Sequence, residues 1–333
     1  MKKKILVLLT AAFLMFTAIG CAANSTATNS PTPQEKTKVN IAGLKGPTGM
    51  GLSKLMSDQD AGTTQNDYTF TISAAPDDIV GKVTSGEVDI AAVPSNLASS
   101  LYNKTNGQVQ LLAINTLGIL YVVENGDTVH SVSDLNGKTL YSSGQGTTVE
   151  YSLHNILNKN NLDPAKDVKL EYKSEHSELA TLVTSGNVKL AVLPEPFVTT
   201  VMLKNKDLRI ALNLSEEWTK VEKDSVLAMG VMIVRKEFAE QHPDAVNAFL
   251  SEYKASTEYV NANVGDAASL IEKYGILDSA AAAEKAIPNC NIVYMDGAEM
   301  KTKIAPLYQI LYDANPKSIG GKLPDDAFYY TAK

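Results

Sequence analysis

A stretch of sequence that occurs twice limits the folds open to this chain. Residues 79–98 read IVGKVTSGEVDIAAVPSNLA and residues 179–198 read LATLVTSGNVKLAVLPEPFV, an offset of 100 throughout. Val83, Thr84, Ser85, Gly86, Val88, Ala91 and Pro94 recur as Val183, Thr184, Ser185, Gly186, Val188, Ala191 and Pro194. Each copy has one grammar: the apolar last turns of a helix, a Ser-Gly stop where glycine takes the left-handed cap, a short apolar strand, and a proline expected to open the next helix. That order is the second half of a βαβ unit.

An offset of 100 residues exceeds the roughly 20–50-residue period of solenoids, so it predicts two similar α/β lobes. Open α/β sheets bind ligands where a strand hands over to a helix N-terminus. If the lobes face each other, the Pro94 and Pro194 corners form opposite walls of one cleft.

The amino end bears on the compartment. Met1 to Lys4 is basic, Ile5 to Ile19 is an apolar run short for a membrane span, and Ala18-Ile19-Gly20-Cys21 follows. This resembles a lipoprotein signal peptide over 1–20, with Cys21 as the lipidated first residue of the mature protein. An ordinary secretory signal or an N-terminal membrane helix is the alternative. Residues 21–37 are rich in Ser, Thr, Asn and Pro and lack large apolar side chains, which predicts a flexible tether.

About 295 residues remain from Val39 onward, a length that favours two domains over one core. A net charge of -7 and only two arginines, Arg209 and Arg235, argue against nucleic acid. With Cys21 lipidated, Cys290 has no disulfide partner and reads as a small buried hydrophobe. His130, His154, His176 and His242 lack metal-ligand spacing, so no metal site is expected.

In chain order, Val39–Ala42 reads as a strand, followed by a Gly- and Pro-rich corner, Gly46 to Gly51, and an amphipathic helix. Tyr68–Ile72 and Val88–Val93 read as strands, with Asp77 and Asp78 as caps of the helix between them. Val109–Asn115 and Gly118–Val123 are two further apolar stretches. The pattern restarts after Asp127, with strands at Lys138–Tyr141, Val168–Tyr172, Val188–Leu193 and Leu208–Leu212. Trp218 reads as packing. A long apolar stretch at Val226–Val234 matches Gly118–Val123 in character, so the chain is expected to leave lobe one near Tyr121 and return near Val231 on a pair of crossing strands. The rest reads as nearly all helix, with stripes Val246, Phe249, Leu250, Tyr253, Val260 and Met300, Ile304, Leu307, Tyr308, Leu311. Residues 38–122 with 232–333 then form lobe 1, and 123–231 form lobe 2.

Lipobox, tether, twin α/β lobes, crossing strands, helical tail and the GKVTSGEVDIA and PEP corners together resemble the solute-binding lipoprotein of an ABC importer, of the nitrate/sulfonate/taurine type. The resemblance implies an α/β, two-lobed type II periplasmic-binding-protein fold, each lobe a mixed sheet flanked by helices, closing over one small molecule by hinge bending. It implies an ABC permease and ATPase as partners, a position on the outer face of the cytoplasmic membrane held by lipid alone, no cofactor and no catalytic residue. A monomer is expected. The family's oxyanion loop appears here as Gly144-Gln145-Gly146-Thr147-Thr148 with altered spacing, and its acidic-proline corner as Glu195-Pro196.

Candidate ligand groups are Lys45, Thr48, Gly49, Met50, Ser95, Asn96, Asn115, Tyr121, Gly146, Thr147, Thr148 and Glu195. Helix-terminal amides and hydroxyls supply donors, and neither arginine lies at a strand-to-helix corner, which disfavours a bidentate clamp. Glu195 suits an ammonium, an amidine or a protonated ring nitrogen; its other reading is a carboxylate complementing a helix dipole. Tyr121, Tyr141 and Tyr151 are stacking candidates or core residues. The expected cargo is a sulfonate or taurine-like solute, or a pyrimidine or other nitrogen heterocycle. An enzyme of the menaquinone or thiamine pathway, on the same fold, and a ligand-sensing lipoprotein are the alternatives.

Overall fold

A computed structural model describes residues 35–332. The predicted signal segment 1–20, Cys21 and most of the 21–37 tether lie outside the described residues. The chain begins with β1 (Lys38–Leu44), α1 (Pro47–Met50), α2 (Ser53–Asp60), β2 (Asp67–Ser73), α3 (Pro76–Ser85), β3 (Ile90–Pro94), α4 (Ser95–Lys104) and β4 (Val109–Thr116). It continues with β5 (Leu120–Asn125), β6 (Thr139–Ser143), α5 (Thr148–Lys159), β7 (Lys169–Lys173), α6 (His176–Thr184), β8 (Leu190–Pro194), α7 (Phe197–Lys204), β9 (Leu208–Asn213) and α8 (Leu214–Val221). The last part holds β10 (Gly230–Arg235), α9 (Lys236–Gln241), α10 (Pro243–Ala262), α11 (Val264–Lys273), α12 (Ala280–Ala286), β11 (Ile292–Asp296) and α13 (Gly297–Ala314).

These strands form two mixed sheets, ordered β11-β4-β10-β3-β1-β2 and β7-β6-β8-β5-β9. The repeat explains the likeness between them. In each, a parallel trio, β2-β1-β3 or β7-β6-β8, is followed by an antiparallel strand, β10 beside β3 or β5 beside β8. Gly86 and Gly186 end the paired helices at φ 80 and 77, a conformation that glycine adopts without penalty. Pro94 caps α4, which opens at Ser95 as expected, whereas Pro194 does not open a helix. Both prolines are the last residues of their strands, β3 and β8, opposite Gly230 and Leu120, and α7 starts only after Pro196. A fixed φ suits an extended strand end as well as a first helical turn. Similarly, Ala75 rather than Asp77 or Asp78 caps α3; Pro76 takes its first position and the two aspartates complement the dipole in its first turn.

The two apolar runs read as crossing strands are β5 and β10, and each lies wholly in one sheet. The sheets are joined instead by residues 117–119 and 222–229, so the boundaries expected after 122 and 231 fall inside strands. The runs are long and apolar because a central strand is covered on both faces; five of six residues in each are buried. The tail also departs from an all-helical reading. Its Ile292–Asp296 segment pairs with β4 as an edge strand with a register shift, and so short and irregular a strand leaves little alternation to detect. The predicted stripes of α10 and α13 are buried, as are Trp218 and Cys290. Burial of each large side chain contributes roughly 1.5–3 kcal/mol.

At the first corner, α1 folds back on the end of β1. A Cβ on Gly49 would stand 2.1 Å from the carbonyl oxygen of Leu44, a backbone atom that has no rotamer to relieve it. Gly49→Ala is expected to cost about 3 kcal/mol, read as a lower urea midpoint with unchanged slope.

Candidate functional site

Parallel strands that end side by side must release their helices toward the same space, and both sheets do so here. β1, β2 and β3 lead into α1, α3 and α4, and β6, β7 and β8 lead into α5, α6 and α7. A cavity of about 540 Å³ is lined from all six of these helix starts: Pro47 and Thr48, Pro76 and Asp77, Asn96 and Leu97, Thr148 and Val149, Glu175 and His176, Pro196 and Phe197. Ile119 and Met229, from the two passages that join the sheets, also line it. The hundred-residue offset reaches beyond the recognised repeat. Thr48 and Thr148 sit in the first turns of α1 and α5, and both line the cavity.

Of the residues expected at the site, Lys45, Thr48, Asn96, Thr147, Thr148 and Glu195 line this cavity. Gly49, Met50, Ser95, Asn115, Tyr121 and Gly146 are not among its lining residues. Met50 is core. Ser95 Oγ donates to the Ala228 carbonyl at 2.7 Å. Asn115 stands one step behind the wall, its Nδ2 donating to the Thr48 carbonyl at 3.1 Å. Tyr121 Oη donates to the Asn289 carbonyl at 2.9 Å, and the Gly146 N–H donates to Glu150 Oε2 at 2.6 Å. Tyr141 lies under the Lys173 ammonium, and Tyr151 Oη accepts from Asn315 Nδ2 at 2.8 Å. Neither lines the cavity.

His176 and Phe197, along with the apolar Leu97, Ile119 and Met229, line the cavity without standing among the residues expected from the sequence. The switch-point rule, applied to the ends of β2 and β7 as well, would have found Pro76 and His176. His176 Nδ1 lies 2.5 Å from Ser143 Oγ, and its ring stands 5.8 Å from that of Phe197. Burial holds its pKa below the ordinary value of 6.5, so the imidazole is neutral at pH 7. The tautomer that accepts from Ser143 carries its proton on Nε2.

Glu195 is 2% exposed, with Oε2 accepting from the Thr199 N–H at 3.1 Å and Oε1 from Thr199 Oγ1 at 3.0 Å. Burial pushes its pKa up against those two bonds and a side-chain hydrogen bond from Asn289. Thr148 is 3% exposed and its Oγ1 has no protein partner. Among the described residues no group of three or more His, Cys, Asp or Glu side chains is placed to hold a metal ion. No helix among them is long and apolar enough to cross a membrane.

Two outcomes are expected. Thr148→Val removes a buried hydroxyl that bonds nothing in the protein, so folding stability should hold or rise by about 1 kcal/mol, measured by urea denaturation. His154 and His176 are both held below 6.5 by burial, so the unfolded chain takes up protons first. Their contribution is complete above that pH and declines as pH falls through it; the stability loss on acidification to about pH 5.5 should shrink in His176→Gln.

Known proteins bear on this geometry. A family described as the periplasmic substrate-binding protein of the phosphonate ABC transporter matches residues 59–279. No curated protein matches the chain. A solved ABC-transporter structure from Parabacteroides distasonis shares 24% identity, covering 90% of this chain and 100% of its own with a TM-score of 0.76. The periplasmic aliphatic sulphonate-binding protein SsuA from Escherichia coli shares 13% identity over 90% of this chain and 94% of its own, with a TM-score of 0.72. The periplasmic nitrate-binding protein NrtA from Synechocystis shares 13% over 77% and 69%, with a TM-score of 0.53. At such identities the structural likeness establishes the fold, and the family match, which spans more than half of the chain, establishes kinship. The chain belongs to the phosphonate-type periplasmic substrate-binding proteins of ABC transporters.

Proposed function

We propose that this protein is the extracytoplasmic solute-binding component of an ABC importer. It captures one small organic solute, sulfonate- or taurine-like or a nitrogen heterocycle, in the cavity between its two sheets and presents it to a permease served by an ATPase. One observation carries the reading: six helix starts from two separate sheets line a single cavity of about 540 Å³, a size in the usual range for small-molecule sites. β1–β4 with β10, β11 and the tail make one lobe, β5–β9 the other, and residues 117–119 and 222–229 serve as the hinge. Lys45, Thr48, Asn96, Thr147, Thr148, His176 and Glu195 contact the solute, while Asn115 positions Thr48. The receptor binds without transforming its cargo: Ser143, the hydroxyl paired with His176 of the cavity wall, is buried and does not line the cavity. It acts as a monomer, and lipid on Cys21 tethers it to the membrane.

Dyes on Asp78→Cys and Ser177→Cys, exposed positions at the starts of α3 and α6, report the distance across the cleft. Taurine, propanesulfonate, cytosine and methylphosphonate are offered in turn. A binder at 100 times its Kd should stabilise the fold by about 2.7 kcal/mol and raise energy transfer between the dyes. Stabilisation with no change in transfer would refute hinge closure.

A further inference from the structure

Charge around the cavity is arranged against a doubly negative solute. Lys45 supplies the one ammonium among the lining residues, and its Nζ lies 3.2 Å from the Asp278 carboxylate. Asp77, Glu175 and Glu195 supply three carboxylates. Both arginines are engaged elsewhere, Arg209 with Glu124 at 2.6 Å and Arg235 with Asp89 at 2.8 Å.

Helix N-termini would ordinarily offset such a balance, but most are already answered from within the chain. Asp77 and Glu178 stand in the first turns of α3 and α6. Glu150 takes the Gly146 N–H ahead of α5, and Glu195 takes the Thr199 N–H of α7. Of the longer helices that open on the cavity, α4 alone has no carboxylate at its start.

Glu195 and Thr148 are the two buried polar groups on the wall with capacity to spare. Thr199 occupies one lone pair on each Glu195 oxygen and the Asn289 side chain takes a third, which leaves one for a further donor. The Thr148 hydroxyl is unpartnered and can donate to an acceptor. Between the polar groups the lining is apolar, with Leu97, Ile119, Phe197 and Met229 and five prolines. Prolines add rigid apolar surface and no N–H.

Resting on the solute-binding reading above, we infer that the cleft selects a neutral or zwitterionic solute with an apolar or aromatic body. The solute places an N–H donor on Glu195 and an acceptor on the Thr148 hydroxyl and the start of α4, and doubly charged phosphonates are turned away. Three carboxylates against one engaged ammonium repel a dianion, and a carboxylate in a water-poor wall gains most from a donor that brings no second negative charge.

Calorimetry on the full chain at pH 8 tests this with cytosine, taurine, propanesulfonate and methylphosphonate. Cytosine or taurine should bind, and methylphosphonate should not. Glu195→Gln should weaken that binder by about tenfold to a hundredfold, the range for a charge-assisted hydrogen bond. Thr148→Val, which keeps the fold, should weaken it by about tenfold. Three results overturn the inference: methylphosphonate or propanesulfonate binding as tightly as the N–H-bearing probes, no N–H-bearing probe binding, or unchanged affinity in both variants. A dianion that binds and draws the dyes together would defeat this inference and leave the importer reading standing. If no probe of any charge binds, both readings count as failed.

Discussion

Each helix leaves its first amides without an internal carbonyl partner, and that unmet hydrogen bonding fixes where this protein can act. Six helices emerge from the carboxyl ends of six parallel strands, and a parallel strand can emit its helix only at that end. Two βαβ trios set opposite one another thus bring their unpaired groups to a common space. The chain answers several of them itself, through Asp77, Glu150, Glu178 and Glu195. Beside this space the Thr148 hydroxyl stays buried and unanswered within the chain.

Much of this was legible in the sequence because it rests on short-range rules. Gly86 and Gly186 announce helix ends through their left-handed φ, and the apolar strands behind them follow from the Val-Ala pattern. A hundred-residue offset was enough to foresee two lobes and one cleft. What escaped depends on pairing between distant segments. Nothing local distinguishes a central strand from a strand that spans two lobes, so Tyr121 and Val231 look like crossings in the sequence, although β5 and β10 each belong to one sheet. Ile292–Asp296 is a strand only because β4 offers it an edge.

The site was half legible for a related reason. Strand-to-helix corners are sequence features, and residues expected there, such as Thr48, Asn96 and Thr148, line the cavity. Whether a corner residue faces the cavity depends on the helix phase set by packing. Asn115 and Ser95 are polar and adjacent to the right corners, yet both are turned into the protein, where they hold backbone carbonyls. His176 and Phe197 took their places on the wall. A polar side chain near a site is as often its carpentry as its contact surface, and only its hydrogen-bond partner distinguishes the two.

Ile119 and Met229 belong to the two short passages that tie the sheets together, and both also line the cavity. Under the proposed hinge, bulk pressed against them bears on the tie itself, so the girth of the cargo and the angle between the halves become a single mechanical variable. In that scheme an oversized guest registers as an incomplete rotation, even where every polar contact is made.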